Sequence, residues 1–394
     1  MLKISNRVDA ILASKSVSMV ARVAELQKNG IPIISLSVGE PDMPPPQEVM
    51  EEMYLAQKRG NCGYGPVSGH PVLRKKLAEQ MGEAVKLPIR MENIFVSNGS
   101  KQILYNLFQT ILNPSDEVIV PSPYWVTFPE QIKLAGGKPI FVPCLPNHQL
   151  DLSAIRRAIG PATRAIILNS PNNPTGAIYS NEDVLQILNW AQEFNFSVIS
   201  DEAYAFLTYD KKAFTSPLTL LKNSCTEDLL SRVLTVQTFS KSYAMTGYRI
   251  GFLVGAAELV KNLDKFQGHV CGNVCTPAQA AAILALTMPQ DYFLQMKATF
   301  ERRRNLAHKL FSQLFDIAPP PGAFYLFPRC DQYYTDTIKN SEDLANYILE
   351  HAQVAILPGS AFGAENYLRF SFATSEQEIE EAFYRIKRVL GERK

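Results

Sequence analysis

Three β-rich runs of this chain end in polar residues that could do chemistry. After Arg164 to Asn169 comes Ser170-Pro-Asn-Asn-Pro-Thr-Gly176, after Phe196 to Ser200 comes Asp201-Glu-Ala-Tyr204, and after Arg232 to Val236 comes Thr238-Phe-Ser240-Lys241. In open parallel sheets ligands bind beyond the carboxyl ends of the strands. An amide, a carboxylate with a phenol, and a hydroxyl-rich turn with a lysine are therefore expected to meet there. A lysine alone is ordinarily a solvated surface group. Lys241 has company: Gly247, Arg249 and Gly251 follow it, and Arg249 opens an apolar run where a guanidinium is costly unless it meets an anion. A fork-shaped arginine beside the hydroxyls of Thr238 and Ser240 suits a phosphate. Asn98-Gly99-Ser100-Lys101 lies between a strand pattern and the helical run Gln102 to Leu112. Its backbone N–H groups and the helix dipole would hold the same phosphate, although such a turn alone is ordinary helix capping.

An amine, a phosphate cradle, a carboxylate and a phenol together are what pyridoxal 5′-phosphate requires. Its aldehyde needs an amine for a Schiff base, the part of Lys241. Its ring nitrogen needs an acid to stay protonated as an electron sink, the part of Asp201. Tyr204 and Asn173 would hydrogen-bond the ring's 3-oxygen and lower the pKa of the Lys241 adduct, readying it for an incoming amino group. Trp125 follows Pro121-Ser-Pro-Tyr124 at another strand end and would stack on the ring face. Six cysteines form no Cys-x-x-Cys pair and the five histidines show no ligand spacing, so no metal is assigned. Cys62, Cys144, Cys225, Cys271, Cys275 and Cys330 are expected to be small buried hydrophobes.

The elements that must position these groups alternate between two periodicities. Short β-rich runs at Ile94 to Ser97, Glu117 to Pro121, Lys138 to Val142, Arg164 to Asn169, Phe196 to Asp201, Arg232 to Val236 and Ile250 to Gly255 are separated by helical patterns. This predicts an α/β fold, a mostly parallel seven-stranded sheet between helices. Ser180 and Asp151 stand as N-caps before Val184 to Phe194 and Leu152 to Ile159. Prolines cluster at Pro44 to Pro46 and at Pro319 to Pro321, the candidate hinges. Beyond the second cluster, strands at Ala323 to Phe327, Val354 to Leu357 and Tyr367 to Ser371 with helices at Ser341 to His351 and Ser375 to Leu390 predict a smaller α+β domain. An amphipathic helix from Ser16 to Asn29 and a strand from Ile33 to Ser37 are expected to join it. The division expected is 1–45 (arm and part of the small domain), 46–290 (large cofactor domain) and 291–394 (small domain).

At 394 residues the chain is long enough for two cores. The balance of 39 Lys plus Arg against 38 Asp plus Glu gives no electrostatic footprint for nucleic acid or an anionic membrane. The longest apolar stretches, such as Ala278 to Met288, fall short of the roughly 20 residues of a membrane helix. The first residues lack the pattern of a secretory signal, so a cytoplasmic location is expected.

Ser170-Pro-Asn-Asn-Pro-Thr-Gly176, Asp201-Glu-Ala-Tyr204, Ser240-Lys-Ser-Tyr-Ala-Met-Thr-Gly-Tyr-Arg-Ile-Gly251 and Tyr367-Leu-Arg369-Phe-Ser-Phe-Ala373 occur in an order that resembles the class I aminotransferases of fold type I. The likeness covers nearly the whole chain. It implies that Arg369 binds the α-carboxylate of a substrate and that the backbone of Gly39, in Ser37-Val-Gly-Glu-Pro-Asp42, lies beside it. It also implies that Tyr64, in Gly63-Tyr-Gly-Pro-Val-Ser-Gly-His-Pro71, reaches the phosphate of a neighbouring subunit, hence a homodimer with composite active sites. Thr238 stands where many members have serine, and the hydroxyl is kept. The resemblance implies ping-pong transamination through a Schiff base on Lys241, whose freed amine moves a proton from the substrate's α-carbon. Gly99-Ser-Lys-Gln-Ile-Leu-Tyr-Asn-Leu-Phe108 and Ser122-Pro-Tyr-Trp-Val-Thr-Phe-Pro129 are similar to the bacterial aspartate aminotransferases, which implies that Lys101 binds a distal carboxylate.

Aspartate with 2-oxoglutarate is therefore the expected substrate pair, with aromatic amino acids or prephenate as the alternative. A carbon-sulfur lyase or decarboxylase of the same fold would share the role of Lys241. A non-catalytic effector domain of a transcription regulator would need a DNA-binding module, and no basic helix precedes Ile31 to supply one.

Overall fold

The computed structural model describes residues 3–221 and 231–391; Cys225 lies outside them. The strands are β1 (Ile34–Ser35), β2 (Ile94–Ser97), β3 (Glu117–Ser122), β4 (Lys138–Pro143), β5 (Thr163–Asn169), β6 (Ser197–Asp201), β7 (Val233–Thr238), β8 (Gly251–Val254), β9 (Tyr325–Leu326), β10 (Val354–Ala355), β11 (Leu357–Pro358) and β12 (Leu368–Ser371). Seven form one sheet in the order β2-β8-β7-β6-β5-β3-β4. Pairs among β3 to β7 are parallel, and β8 runs antiparallel between β2 and β7. The seven runs expected as strands are all present, with ends shifted by a residue or two.

Parallel strands covered on both faces read as continuous apolar runs, and alternate residues go to opposite sides. Ile119, Ile166 and Val198 pack into the core on one face; Val118, Val120, Ala165, Ile167 and Ile199 fill the core on the other. Strand order then decides which polar ends meet. Asn169 sits beside Asp201 in the register of β5 and β6, and Asp201 beside Val236 in that of β6 and β7. The three polar segments are thereby neighbours along one sheet edge.

Helix caps follow the chemistry of their residues. Ser180 accepts the Asp183 N–H at 3.0 Å to start the helix Asn181–Glu193, and Asp151 accepts that of Ala154 at 2.9 Å to start Leu152–Ala158. The helix expected from Gln102 begins earlier and spans Gly99–Ile111. Its first turn is therefore made of Gly99, Ser100 and Lys101, whose amides have no partner within the helix.

A second core gathers around the antiparallel sheet β11-β12-β9 and the helices Gln290–Phe311, Ser341–Ala352 and Glu376–Gly391. β1 pairs in parallel with β10, and Val23 of the helix Lys15–Lys28 packs with Leu349 and Ala355. The run Val354 to Leu357, expected as one strand, is two. Its first half pairs with β1 and its second with β12, so the chain changes partner at Ile356. The helix Gln290–Phe311 ties distant segments down with two forked pairs. Arg304 donates to both carboxylate oxygens of Asp210 at 2.7 Å, and Arg303 donates to those of Asp42 at 2.7 and 2.9 Å.

The cysteine expectation needs correction. Among the described residues only Cys330 is buried, Cys144 is intermediate, and Cys62, Cys271 and Cys275 are exposed, because these three lie on the turns that end helices or lead into them. No described helix is long and apolar enough to cross a membrane.

Replacing Ser180 with alanine is expected to lower the unfolding free energy by about 1 kcal/mol through loss of one helix cap. A fall in the urea midpoint with unchanged catalytic rate is the outcome that checks it.

Candidate active site

A cleft of about 540 Å³ opens at the carboxyl ends of β5, β6 and β7. Lys241, Asp201, Tyr204, Asn173, Thr238 and Ser240 all line it, as do Gly39, Ser100, Lys101, Trp125, Arg249 and Arg369.

Lys241 stands on a single helical turn, Phe239–Ser242, directly after β7; Thr238 caps that turn by accepting the Ser240 N–H at 3.1 Å. The amine reaches across and donates to the carbonyl oxygen of Gly39. Burial brings its pKa down to about 8, with Arg249, Arg369 and Lys101 acting in the same direction and Glu40 against them. An amine this close to neutrality at physiological pH is suited to nucleophilic attack. Gly39 has to be glycine here, since a Cβ would lie 2.8 Å from the hydroxyl of Tyr325.

Asp201 ends β6 with its carboxyl 3% exposed. Burial pushes its pKa up to about 7, against the hydrogen bond it accepts from the Ala203 N–H at 3.2 Å. No cation pairs with it among the described residues, so the carboxyl is held ready for a positively charged donor in the cleft. Glu202, next in sequence, is turned away into a network of its own. It accepts from Ser200 at 3.0 Å, Ser216 at 2.6 Å and Gln237 at 2.9 Å.

The anion cradle forms where the helix Gly99–Ile111 meets Arg249. The side chain of Asn98 donates to the Sγ of Cys271 at 3.4 Å and makes no cap bond, which leaves the first amides of the helix open. Gly99 has φ +81°, and a Cβ on it would lie 2.7 Å from Arg249 Nη2. The arginine itself differs from expectation. It precedes β8 in a left-handed turn of φ 55° and is exposed at the cleft, donating to the Thr246 carbonyl at 2.8 Å and to that of Asn98 at 3.4 Å. Its sequence context therefore gave no burial cost for an anion to relieve; its place in the cradle is what points to one.

The buried guanidinium is Arg369, on β12 and 3% exposed. It donates to Asn173 Oδ1 at 3.1 Å and to the Ser37 carbonyl at 2.7 Å, while its Nε has no partner among the described residues. Its face lies 4.3 Å from the ring centre of Tyr325 and 5.0 Å from that of Phe362. Burial pulls its pKa down, and no carboxylate pairs with it among the described residues. Lys101 resembles it in this respect. Its amine lies 5.2 Å from the Trp125 ring centre, and burial followed by repulsion from Arg249 lowers its pKa.

Three residues of the cleft lie outside every motif read in the sequence. Tyr325 of β9 donates to or accepts from the Tyr204 hydroxyl at 2.7 Å, and Val17 and Val20 of the helix Lys15–Lys28 form an apolar wall. All three come from the N-terminal helix and the second core, where no strand-end rule applies; the one signal was the apolar spacing of that helix. Tyr64 is not brought to this cleft and is fully exposed on its own chain.

An uncompensated buried carboxyl, a depressed amine, a phenol and an open glycine-bearing helix start fit pyridoxal phosphate group for group. Fold and site thus define an enzyme of the pyridoxal phosphate class with a mostly parallel seven-stranded sheet. Residues 31–386 match the family described as aminotransferase class I and II. The chain belongs to that family and is a pyridoxal phosphate-dependent aminotransferase acting on amino acids and 2-oxo acids. It is 38% identical to a probable aspartate/prephenate aminotransferase of Rickettsia felis, over 98% of this chain and 96% of the relative. It is 36% identical to the aspartate aminotransferase of Bacillus subtilis, over 99% of both. The aspartate aminotransferase of Thermus thermophilus with maleate superimposes with a TM-score of 0.93 at 36% identity, covering 99% of this chain and all of that one.

Covalent uptake of pyridoxal phosphate by the apo protein is expected to accelerate as pH rises to about 8 and to level off above it, because only the neutral Lys241 amine attacks. Stopped-flow absorbance across pH tests this; a rate still climbing well above that pH would remove burial as the control of this amine.

Proposed function

We propose that this aminotransferase works by a ping-pong mechanism between L-aspartate and 2-oxoglutarate. The observation that carries the choice is the pair of cations that line the cleft with the Lys241 amine and have no carboxylate partner among the described residues, Arg369 and Lys101. Two separated cations suit the two carboxylates of a dicarboxylic substrate.

Pyridoxal phosphate, when bound, supplies an aldehyde for the amino group and a ring that takes up the electron pair released at the α-carbon. The residues do the rest. The amides of Gly99, Ser100 and Lys101 with Thr238, Ser240 and Arg249 would hold the phosphate, and Tyr64 of the partner subunit in a homodimer would complete that cradle. Asp201 would keep the ring nitrogen protonated, Trp125 would cover the ring face, and Asn173 with Tyr204 would donate to the ring's 3-oxygen. Arg369 forks the α-carboxylate, which fills the empty Nε direction, while Gly39 lets the substrate lie against its backbone. The amine of Lys241, brought toward neutrality by burial, would move the proton from the substrate's α-carbon to the cofactor.

A second reading, aromatic amino acids or prephenate, is supported by the apolar wall of Val17, Val20 and Trp125 beside Lys101. The two readings separate in a half-reaction. Adding L-aspartate to the loaded enzyme is expected to convert the bound pyridoxal form to the pyridoxamine form with release of oxaloacetate. Conversion by phenylalanine but not aspartate would transfer the assignment to the aromatic reading. Lys101→Ser is expected to cut kcat/KM for aspartate at least tenfold while sparing phenylalanine, the size of one charge-assisted contact of about 1.5 kcal/mol or more. Lys241→Ala should abolish turnover and leave the fold and part of the cofactor binding intact.

A further inference from the structure

We propose that Tyr325 is a positioning residue that sets the direction of the Tyr204 hydroxyl proton, turning it into the cleft toward the 3-oxygen of the bound cofactor. The proposal rests on the reading of Tyr204 given above.

The geometry of one hydrogen bond carries it. The two phenolic oxygens lie 2.7 Å apart and either could donate, so the direction follows from what each proton would do otherwise. Tyr325 is 1% exposed, and its hydroxyl has no other partner among the described residues. Both hydroxyls line the cleft; if Tyr204 donated to Tyr325 it would have no proton left for the cofactor's 3-oxygen, and the proton of Tyr325 would have no acceptor among the described residues. An unmet buried donor is costly, and native structures avoid it. If Tyr325 donates, its own proton is satisfied and that of Tyr204 is freed. Tyr204 lines the cleft, so an anionic oxygen there can accept that proton.

Two neighbours reinforce this direction. The Arg369 guanidinium stacks 4.3 Å from the Tyr325 ring centre, and a cation over the ring draws electron density from the phenol and makes its O–H a stronger donor. A hydroxyl that accepts one hydrogen bond donates the next one more strongly. Arg369, Tyr325 and Tyr204 thus form an ordered line from the α-carboxylate position to the cofactor's oxygen. Each step is fixed by burial: Tyr204 meets Phe324 edge-on at 5.2 Å, and Tyr325 is held in β9 opposite Ser371 of β12.

The test titrates the visible absorption of the bound cofactor against pH in wild type, Tyr325→Phe, Tyr204→Phe and the double variant. Weaker donation to the 3-oxygen should raise the titration midpoint. Tyr325→Phe is expected to raise it by about half a pH unit or more, the scale of one net hydrogen bond. Tyr204→Phe is expected to raise it further, and Tyr325→Phe on that background should add nothing. Because phenylalanine keeps the ring under Arg369, KM for the amino acid should stay within about twofold while kcat falls severalfold; Tyr325→Leu, which removes the ring too, should raise KM as well. An unmoved midpoint in Tyr325→Phe, with Tyr204→Phe shifted, overturns the proposal alone. An unmoved midpoint in Tyr204→Phe overturns the reading beneath it. Should Tyr325→Phe fail to fold, Tyr325→Leu and the conservative Tyr325→His, which restores a donor, must separate on the same titration; equal midpoints in the two count against the proposal.

Discussion

A carboxyl, a guanidinium and an amine are held out of water in this cleft with no ion pair among the described residues, and the rest of the molecule is arranged around that constraint. Asp201 and Arg369 are each 3% exposed and lack an ionic partner among the described residues, and burial brings the Lys241 amine down to about 8. Left in water these groups would be ordinary ions; inside the protein each is poised toward a partner that arrives with the ligand. The same low dielectric that makes burying them costly strengthens any hydrogen bond or ion pair they form.

Holding like charges together requires a rigid frame, and two cores supply it from opposite sides. The sheet fixes Asp201, Asn173 and Lys241 through strand register, because neighbouring strand ends cannot shift without breaking the ladder. The antiparallel sheet presents Arg369 and Tyr325 on paired strands, and Val17 and Val20 of the helix Lys15–Lys28 line the same cleft. The meeting line between them is made of specific polar contacts. Arg369 donates to Asn173 and Ser37, Lys241 donates to Gly39, and Arg303 forks Asp42 at the end of the segment that carries Gly39. A change in that segment therefore reaches both Lys241 and Arg369.

Much of this was legible in the residues. Parallel strands buried on both faces must read as continuous apolar runs, so the seven central strands and the polar segments at their ends could be placed from the sequence. Ser180 and Asp151 announced their caps because the preference is local chemistry. Gly99 to Lys101 was read as a phosphate turn from its place between strand and helix, and the structure lengthens that helix to include it. Other readings failed for equally local reasons. Arg249 looked buried beside Ile250, yet a left-handed turn puts it at the cleft mouth; exposed Cys62, Cys271 and Cys275 were counted as core because composition says nothing of turns.

The sequence by itself determined the class of cofactor and the sheet, and it singled out Lys241, Asp201 and Tyr204 as candidates, since each is a residue type at the end of an adjacent strand or lies in a motif continuous in the chain. Only the tertiary structure decided that Tyr325 would reach Tyr204 across 121 positions of sequence, that Arg369 would be left with an unpaired Nε, and that Val17 and Val20 would wall the cleft. Those contacts join elements whose local patterns carry no information about one another, and they exist only once the fold has brought those elements together.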